Sequence, residues 1–272
     1  MGTLYLGTQG FSYKDWVGNF YPAHTPPADY LAQYVNQFRA LELDSTFYGV
    51  PRPTTIHGWY EATPPDFVFT AKFPRAITHD KKLINTDEDS RAFLEAMQGL
   101  REKCGPLLLQ FMYDFSPDFA PVLDHYLSSL PKSLRYAVEF RHKGWLQPQH
   151  FDLLEKHRVA LCLHDLYYMP KITRVTTDFT YIRWLGNRKQ LTKFDRLQID
   201  RSKEQVWWSG VIKAHLSKGI DVYGFVNNCW AGHAPSSAQQ LFNLIVGVKQ
   251  GARDNATPLA HSRSSTGRSV GR

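Results

Sequence analysis

A set of polar residues closes short apolar runs along the chain, and their side chains define the chemistry available. Glu139 stands near the end of Tyr136-Ala-Val-Glu-Phe140 with Arg141 just beyond it, and His164-Asp165 ends another run. Glu42, Lys72, Gln110, Arg183 and the pair Asn227-Asn228 hold similar positions, as do Thr8 and Gln9 near the start. Glu139 and Asp165, on successive runs, can divide general acid-base work or hold one divalent metal. The structural alternative pairs Glu139 with Arg141 or Arg183, because Lys72, Arg141 and Arg183 would otherwise face one another as uncompensated cations. Fixed cations of this kind suit a phosphate or carboxylate, which Arg can bind through two parallel hydrogen bonds.

Other chemistries lack their signatures. Gly7-Thr-Gln-Gly10 has too few glycines for a phosphate loop, no Gly-x-Ser-x-Gly elbow occurs, and no His-Glu-x-x-His or comparable ligand set marks a metal site. His79 and His164, each taken alone, fit hydrogen-bonded structural histidines. The aromatic cluster Phe11, Tyr13, Trp16, Phe20 and Tyr21, with Phe47, Tyr48, Trp59 and Tyr60, can stack on bases or sugars or pack as a lid over a long loop. Cys104, Cys162 and Cys229 are odd in number and far apart, which argues against a disulfide framework and fits a reducing cytoplasm. Neither a signal peptide nor a membrane span is expected from the apolar patterning. The formal charge of +7 contains +3 from Arg253, Arg263, Arg268 and Arg272 against Asp254, so residues 1–250 carry only a mild excess.

Elements that could position these groups recur along the chain. Eight strands are expected at Thr3–Leu6, Ala40–Leu43, Phe67–Ala71, Pro106–Phe111, Arg135–Phe140, Val159–Leu163, Thr180–Trp184 and Asp221–Val226. Helical stripes lie between most of them, such as Leu31, Tyr34, Val35, Phe38 and Leu94, Met97, Leu100 after the acidic start Asp87-Glu88-Asp89. Strands apolar on nearly every residue and alternating with helices are parallel and buried on both faces. The expected fold is therefore α/β, an irregular (β/α)8 TIM barrel forming a single domain over residues 1–250, with an open doubly wound sheet as the alternative. The irregularity falls at Leu166–Phe179, where Pro170 and the lack of an apolar stripe predict a missing helix. Residues 251–272 are polar and aperiodic and read as a disordered basic tail.

Several segments together resemble the YecE-like family, also known as domain of unknown function 72. They are Gly7-Thr-Gln-Gly-Phe-Ser-Tyr13 with Trp16, Gly18 and Phe20-Tyr-Pro22; Leu41-Glu-Leu-Asp-Ser-Thr-Phe-Tyr48 with Pro51; and Thr63-Pro-Pro-Asp-Phe67 leading to Lys72 and Ile77-Thr-His79. Gly105-Pro-Leu-Leu-Leu-Gln110, Ala137-Val-Glu-Phe-Arg141 with Trp145, Tyr181-Ile-Arg183, and Asn227-Asn228 before Ala234-Pro235 complete the match. The resemblance implies a TIM barrel and a distant likeness, at the level of fold, to the endonuclease-four and xylose-isomerase barrels, which use metals. This chain reads Arg183-Trp-Leu-Gly186 where the family often has Arg-x-His-Gly, and Cys229 where an Asp often follows the two asparagines. Both differences count against a metal site built on those positions.

The residues assigned to the site are Glu139 and Asp165 as catalytic groups, with Glu42, Phe47, Tyr48, Lys72, His79, Gln110, Arg141, Trp145, Arg183, Asn227 and Asn228 as ligand-binding groups. The expected ligand is an anion, either a small molecule or nucleic acid, with hydrolysis of a phosphate ester as the reaction considered first. Sugar isomerase or hydrolase chemistry and non-catalytic metabolite binding are the other two readings. No motif names a cofactor or an oligomeric state.

Overall fold

The structure, a computed structural model, describes residues 1–247. Eight parallel strands close into a barrel in chain order: β1 (Leu4–Gln9), β2 (Ala40–Leu43), β3 (Val68–Lys72), β4 (Cys104–Gln110), β5 (Tyr136–Glu139), β6 (Ala160–Asp165), β7 (Phe179–Trp184) and β8 (Asp221–Val226). Pairing of β1 with β8, Leu4 opposite Val222 through Thr8 opposite Val226, closes the ring and rules out the open sheet. The outer layer comprises α1 (Tyr30–Tyr34), α2 (Pro53–Glu61), α3 (Asp87–Gln98), α4 (Ala120–Ser129), α5 (Pro148–His157), α6 (Ser202–Ser217), α7 (Asn228–Ala231) and α8 (Ala234–Val246). No helix separates β6 from β7, as the patterning predicts. The expected basic tail lies outside the described residues.

Alternation along each strand sorts the side chains into two sets. Ala40, Leu108, Ala137, Ala160, Cys162, Phe179, Tyr181, Tyr223 and Phe225 fill the barrel interior. Leu41, Leu109, Val138, Leu163, Ile182 and Val222 face the helices and join Phe93, Met97, Leu123, Leu154, Trp208 and Ile212 in the larger core. Carrying the inward parity forward places Glu42, Lys72, Gln110, Glu139, His164 and Arg183 above the apolar floor, at the C-terminal ends of their strands. This is the face on which the connecting loops of such barrels build sites.

Two differences from the sequence-based boundaries have physical causes. β1 and β6 run on through Thr8-Gln9 and His164-Asp165 because those polar groups find partners and need not leave the sheet. Helices α2 and α5 begin with Pro53 and Pro148, whose fixed φ and missing N–H suit the first helical turn and mark starts that apolar spacing leaves open.

Just beyond β7, Gly186 adopts φ +65°, and a Cβ there would lie 2.1 Å from the Cys229 carbonyl oxygen. Both conformation and space require glycine. Gly186→Ala is expected to cost about 2–4 kcal/mol in a urea melt. A change below about 0.5 kcal/mol would refute the close approach of the loops after β7 and β8.

Candidate functional site

The buried centre of the mouth is the Arg183 guanidinium. Its Nε donates to Glu42 Oε2 at 3.0 Å, Nη2 donates to Glu42 Oε1 at 2.8 Å and Gln9 Oε1 at 3.1 Å, and Nη1 donates to Glu139 Oε2 at 2.5 Å. Tyr181 hydroxyl donates to Glu42 Oε2 at 2.6 Å and lies 2.9 Å from Thr70 Oγ1. Asn227 Nδ2 donates to Gln9 Oε1 at 3.0 Å, and Gln9 Nε2 donates to the Phe225 carbonyl at 3.2 Å. Glu42 and Glu139 are fully buried and Arg183 nearly so. Four strands, β1, β2, β5 and β7, are thus tied through one side chain.

Charge in this network follows from burial set against pairing. Burial alone would raise Glu139, but Arg183 and Arg141 hold its carboxyl well below the usual range. Burial pushes Glu42 up to about 7, against the pull of Arg183. Burial also works against the charge on Arg183, which Glu42 and Glu139 nevertheless hold firmly protonated.

Above this layer two other cations face the mouth. Arg141 Nε donates to Glu139 Oε1 at 2.8 Å, and its side chain remains 17% exposed, with Tyr168 as a further partner. Lys72 Nζ donates to Gln110 Oε1 at 2.7 Å and stands 3.6 Å from the centre of the Phe47 ring. Burial, followed by the nearby Arg183, lowers the Lys72 ammonium to about 7. His79 packs its ring edge-on to Phe47 at 4.8 Å, meets Thr78 Oγ1 at 2.8 Å, and is lowered to about 4 by burial and by Lys72, so it is neutral at physiological pH. Tyr48 projects from the rim, 85% exposed.

Three residues expected at the site are placed elsewhere. Asp165 has outward parity; it accepts from Trp208 Nε1 at 2.8 Å and pairs with Lys171 at 3.0 Å, so it and Glu139 do not form a carboxylate pair. Trp145 is stacked between Phe140 at 4.3 Å and Phe115 at 5.6 Å, with its indole N–H donating to the Phe115 carbonyl. Asn228 is buried and its Oδ1 accepts from Trp16 Nε1 and Ala234 N, which fastens the first loop to the start of α8. The aromatics of that loop pack against one another, Tyr13 on Trp16 at 4.7 Å and Trp16 on Phe20 at 5.5 Å, as a lid would.

The structure brings into the site Gln9 and His164, which the sequence places at strand ends without a role, and Tyr181, which apolar patterning passes over. Gln9 and Tyr181 complete the Arg183 network, and the parity of Phe179, Tyr181 and Arg183 on β7 is the signal that would have found Tyr181. His164 Nε2 lies 3.2 Å from the Phe140 carbonyl, which makes it the protonated nitrogen, while buried Nδ1 has no hydrogen-bond partner. That nitrogen is an unused acceptor on the inward face of β6. Among the described residues, no group of three or more His, Cys, Asp or Glu is arranged to hold a metal ion, and no helix is long and apolar enough to cross a membrane.

Residues 5–261 match the family described as "Protein of unknown function DUF72". The chain belongs to the DUF72 family. A relative from Escherichia coli K12, UPF0759 protein YecE, is 34% identical over 139 residues, which span 51% of this chain and 48% of that protein. UPF0759 protein YunF of Bacillus subtilis is 25% identical over 89% of this chain and 94% of its own length. Among solved structures, a DUF72 family protein from Thermotoga maritima superposes with a TM-score of 0.76 at 29% identity, covering 89% of this chain and 99% of that one. One from Enterococcus faecalis has a TM-score of 0.72 at 21% identity, covering 94% and 98%. These likenesses establish family and barrel.

Removing the central cation strands two buried carboxylates, so Arg183→Met is expected to lose about 3–5 kcal/mol in chemical denaturation. The carboxylates themselves give opposite pH dependences. Glu139, depressed from its ordinary 4.5, contributes stability that is present above that value and is lost as pH falls through the depressed one. Glu42, raised from 4.5 to about 7, favours the fold most below 4.5 and loses that contribution as pH rises towards 7. Stability measured against pH should therefore lose part of its acid limb in Glu139→Gln and part of its decline between about 4.5 and 7 in Glu42→Gln. Identical profiles for the two variants would contradict this assignment of charge.

Proposed function

We propose that the mouth of this DUF72 barrel binds a phosphate-bearing ligand with a ring to stack, a nucleotide or a short single strand of nucleic acid. The observation that carries the reading is the division of the cations. Arg183 has every guanidinium nitrogen engaged below, whereas Lys72 is bonded to the neutral Gln110 amide and Arg141 reaches the partly exposed rim beside Tyr168. A dianionic phosphate would meet Lys72 and Arg141 without displacing the buried pairs, and Arg offers two parallel donors to it.

The rim supports the ring. Loops after β2, β4 and β6 carry Tyr48, Tyr113, Tyr167 and Tyr168, exposed by 85%, 68%, 67% and 38%. Aromatic platforms beside a cationic groove suit unpaired bases, each stack contributing about 1–3 kcal/mol. Hydrolysis would draw on His164, whose Nδ1 has no hydrogen-bond partner and which burial holds neutral, in place of Asp165; Glu139 remains charged between two arginines and serves better to orient Arg141 than to exchange protons.

Titration with a nucleoside monophosphate and a short single-stranded oligonucleotide at low ionic strength should show binding that weakens as salt is added. Arg141→Gln should reduce affinity about tenfold or more while costing less stability than Arg183→Met, because Arg183 still pairs with Glu139. Absence of salt-sensitive binding by either probe would sink the reading.

A further inference from the structure

Among the described residues two lysines are buried, and their surroundings differ. Lys103, 3% exposed, donates to the Tyr60 carbonyl at 2.6 Å, the Thr63 carbonyl at 2.7 Å and Thr63 Oγ1 at 3.2 Å, so each ammonium proton has an acceptor. Lys72, 8% exposed at the end of β3, donates to one neutral acceptor, Gln110 Oε1, and otherwise faces the Phe47 ring. Among the described residues no carboxylate forms an ion pair with it. Lys103 is housed as a structural ammonium. The surroundings of Lys72 suit a neutral amine.

We propose that Lys72 is a nucleophilic amine that forms an imine with an aldehyde or ketone carrying a phosphate or carboxylate. The proposal rests on the reading of the mouth as an anion site and names the electrophile that site would orient. Nζ adds to the carbonyl carbon, forming a C–N bond while the π electrons move to oxygen, which takes up a proton. The resulting carbinolamine gives up its nitrogen proton and expels its hydroxyl as water, leaving the C=N bond. Amine and carbonyl become imine and water, and no oxidant or reductant is needed. The field of Arg141 and Arg183 favours the alkoxide-like oxygen during addition, and Arg141 holds the anionic end of the substrate.

The charged groups around Lys72 bear on how much free amine is present. Burial lowers its ammonium most, Arg183 on β7 and Arg141 beyond β5 lower it further, and Glu139 on β5 and Asp44 after β2 oppose them; His79 beyond β3 is neutral. The balance is a value of about 7. At neutral pH about half of Lys72 is then free amine, on the order of a thousand times the fraction in an exposed lysine.

The test is reductive trapping of the full chain at pH 7 with cyanoborohydride and, separately, glycolaldehyde phosphate, glyoxylate or acetaldehyde, followed by peptide mapping. Lys72 should be modified at least about ten times faster than exposed Lys203 by one or both anionic probes, and the faster of the two identifies the anion. Its rate should reach half-maximum near pH 7. Selective modification of Lys72 by acetaldehyde at the same rate as by the anionic probes would uphold the amine and overturn the anion site. Modification spread over surface lysines with Lys72 no faster than Lys203 would overturn the amine, and phosphate binding measured by titration would stand or fall separately.

Discussion

The upper half of this barrel depends on one guanidinium held between two fully buried carboxylates. Arg183 meets Glu42 through Nε and Nη2 and Glu139 through Nη1, and draws in Gln9, Asn227 and Tyr181 through shared acceptors. Charged groups at that depth are expensive to desolvate, as the raised Glu42 carboxyl reflects, and a packed apolar layer of similar volume would often serve stability as well. A network of this kind also orders what lies above it. Glu139 is shared, one oxygen to Arg183 and the other to Arg141, so the buried pair positions the cation at the rim.

The same layer explains why the remaining groups are available. Because Glu42 and Glu139 are committed to arginines, Lys72 is left with an amide oxygen and an aromatic face, and His79 beside it remains uncharged. His164 is oriented by the Phe140 carbonyl with its other nitrogen unused. Cation, amine and acceptor are therefore held on strand ends, with tyrosines on the intervening loops at the edge.

Much of this arrangement could be read from the residues alone, through two simple periodicities. Eight apolar runs alternating with helical stripes lead to a closed parallel barrel, and the gap at Leu166–Phe179 to its missing helix. Side-chain alternation places Glu139 and Arg141 on one side of β5, where they bond. The same rule, applied to β6, separates His164 from Asp165; a position at a strand end does not by itself bring a side chain into the mouth, and Asp165 turns outward to Trp208. Trp145 and Asn228 were legible as parts of the family pattern, but a pattern does not distinguish a residue that packs from one that binds. Tyr181 shares the inward parity of Arg183 on β7, but its bond to Glu42 depends on the closed barrel, which brings β7 opposite β2.

The central claim is that the basic groups of the mouth are divided, Arg183 locked into the fold and Arg141, with the half-protonated Lys72, open to an anion. A crystal structure of the protein soaked with tungstate, a heavy analogue of phosphate, tests it most directly. The account predicts one anomalous peak between Arg141 and Lys72, with Arg183 still bonded to Glu42 and Glu139. An anion seated on Arg183 with either carboxylate displaced, or a mouth left empty while tungstate binds elsewhere, would contradict it.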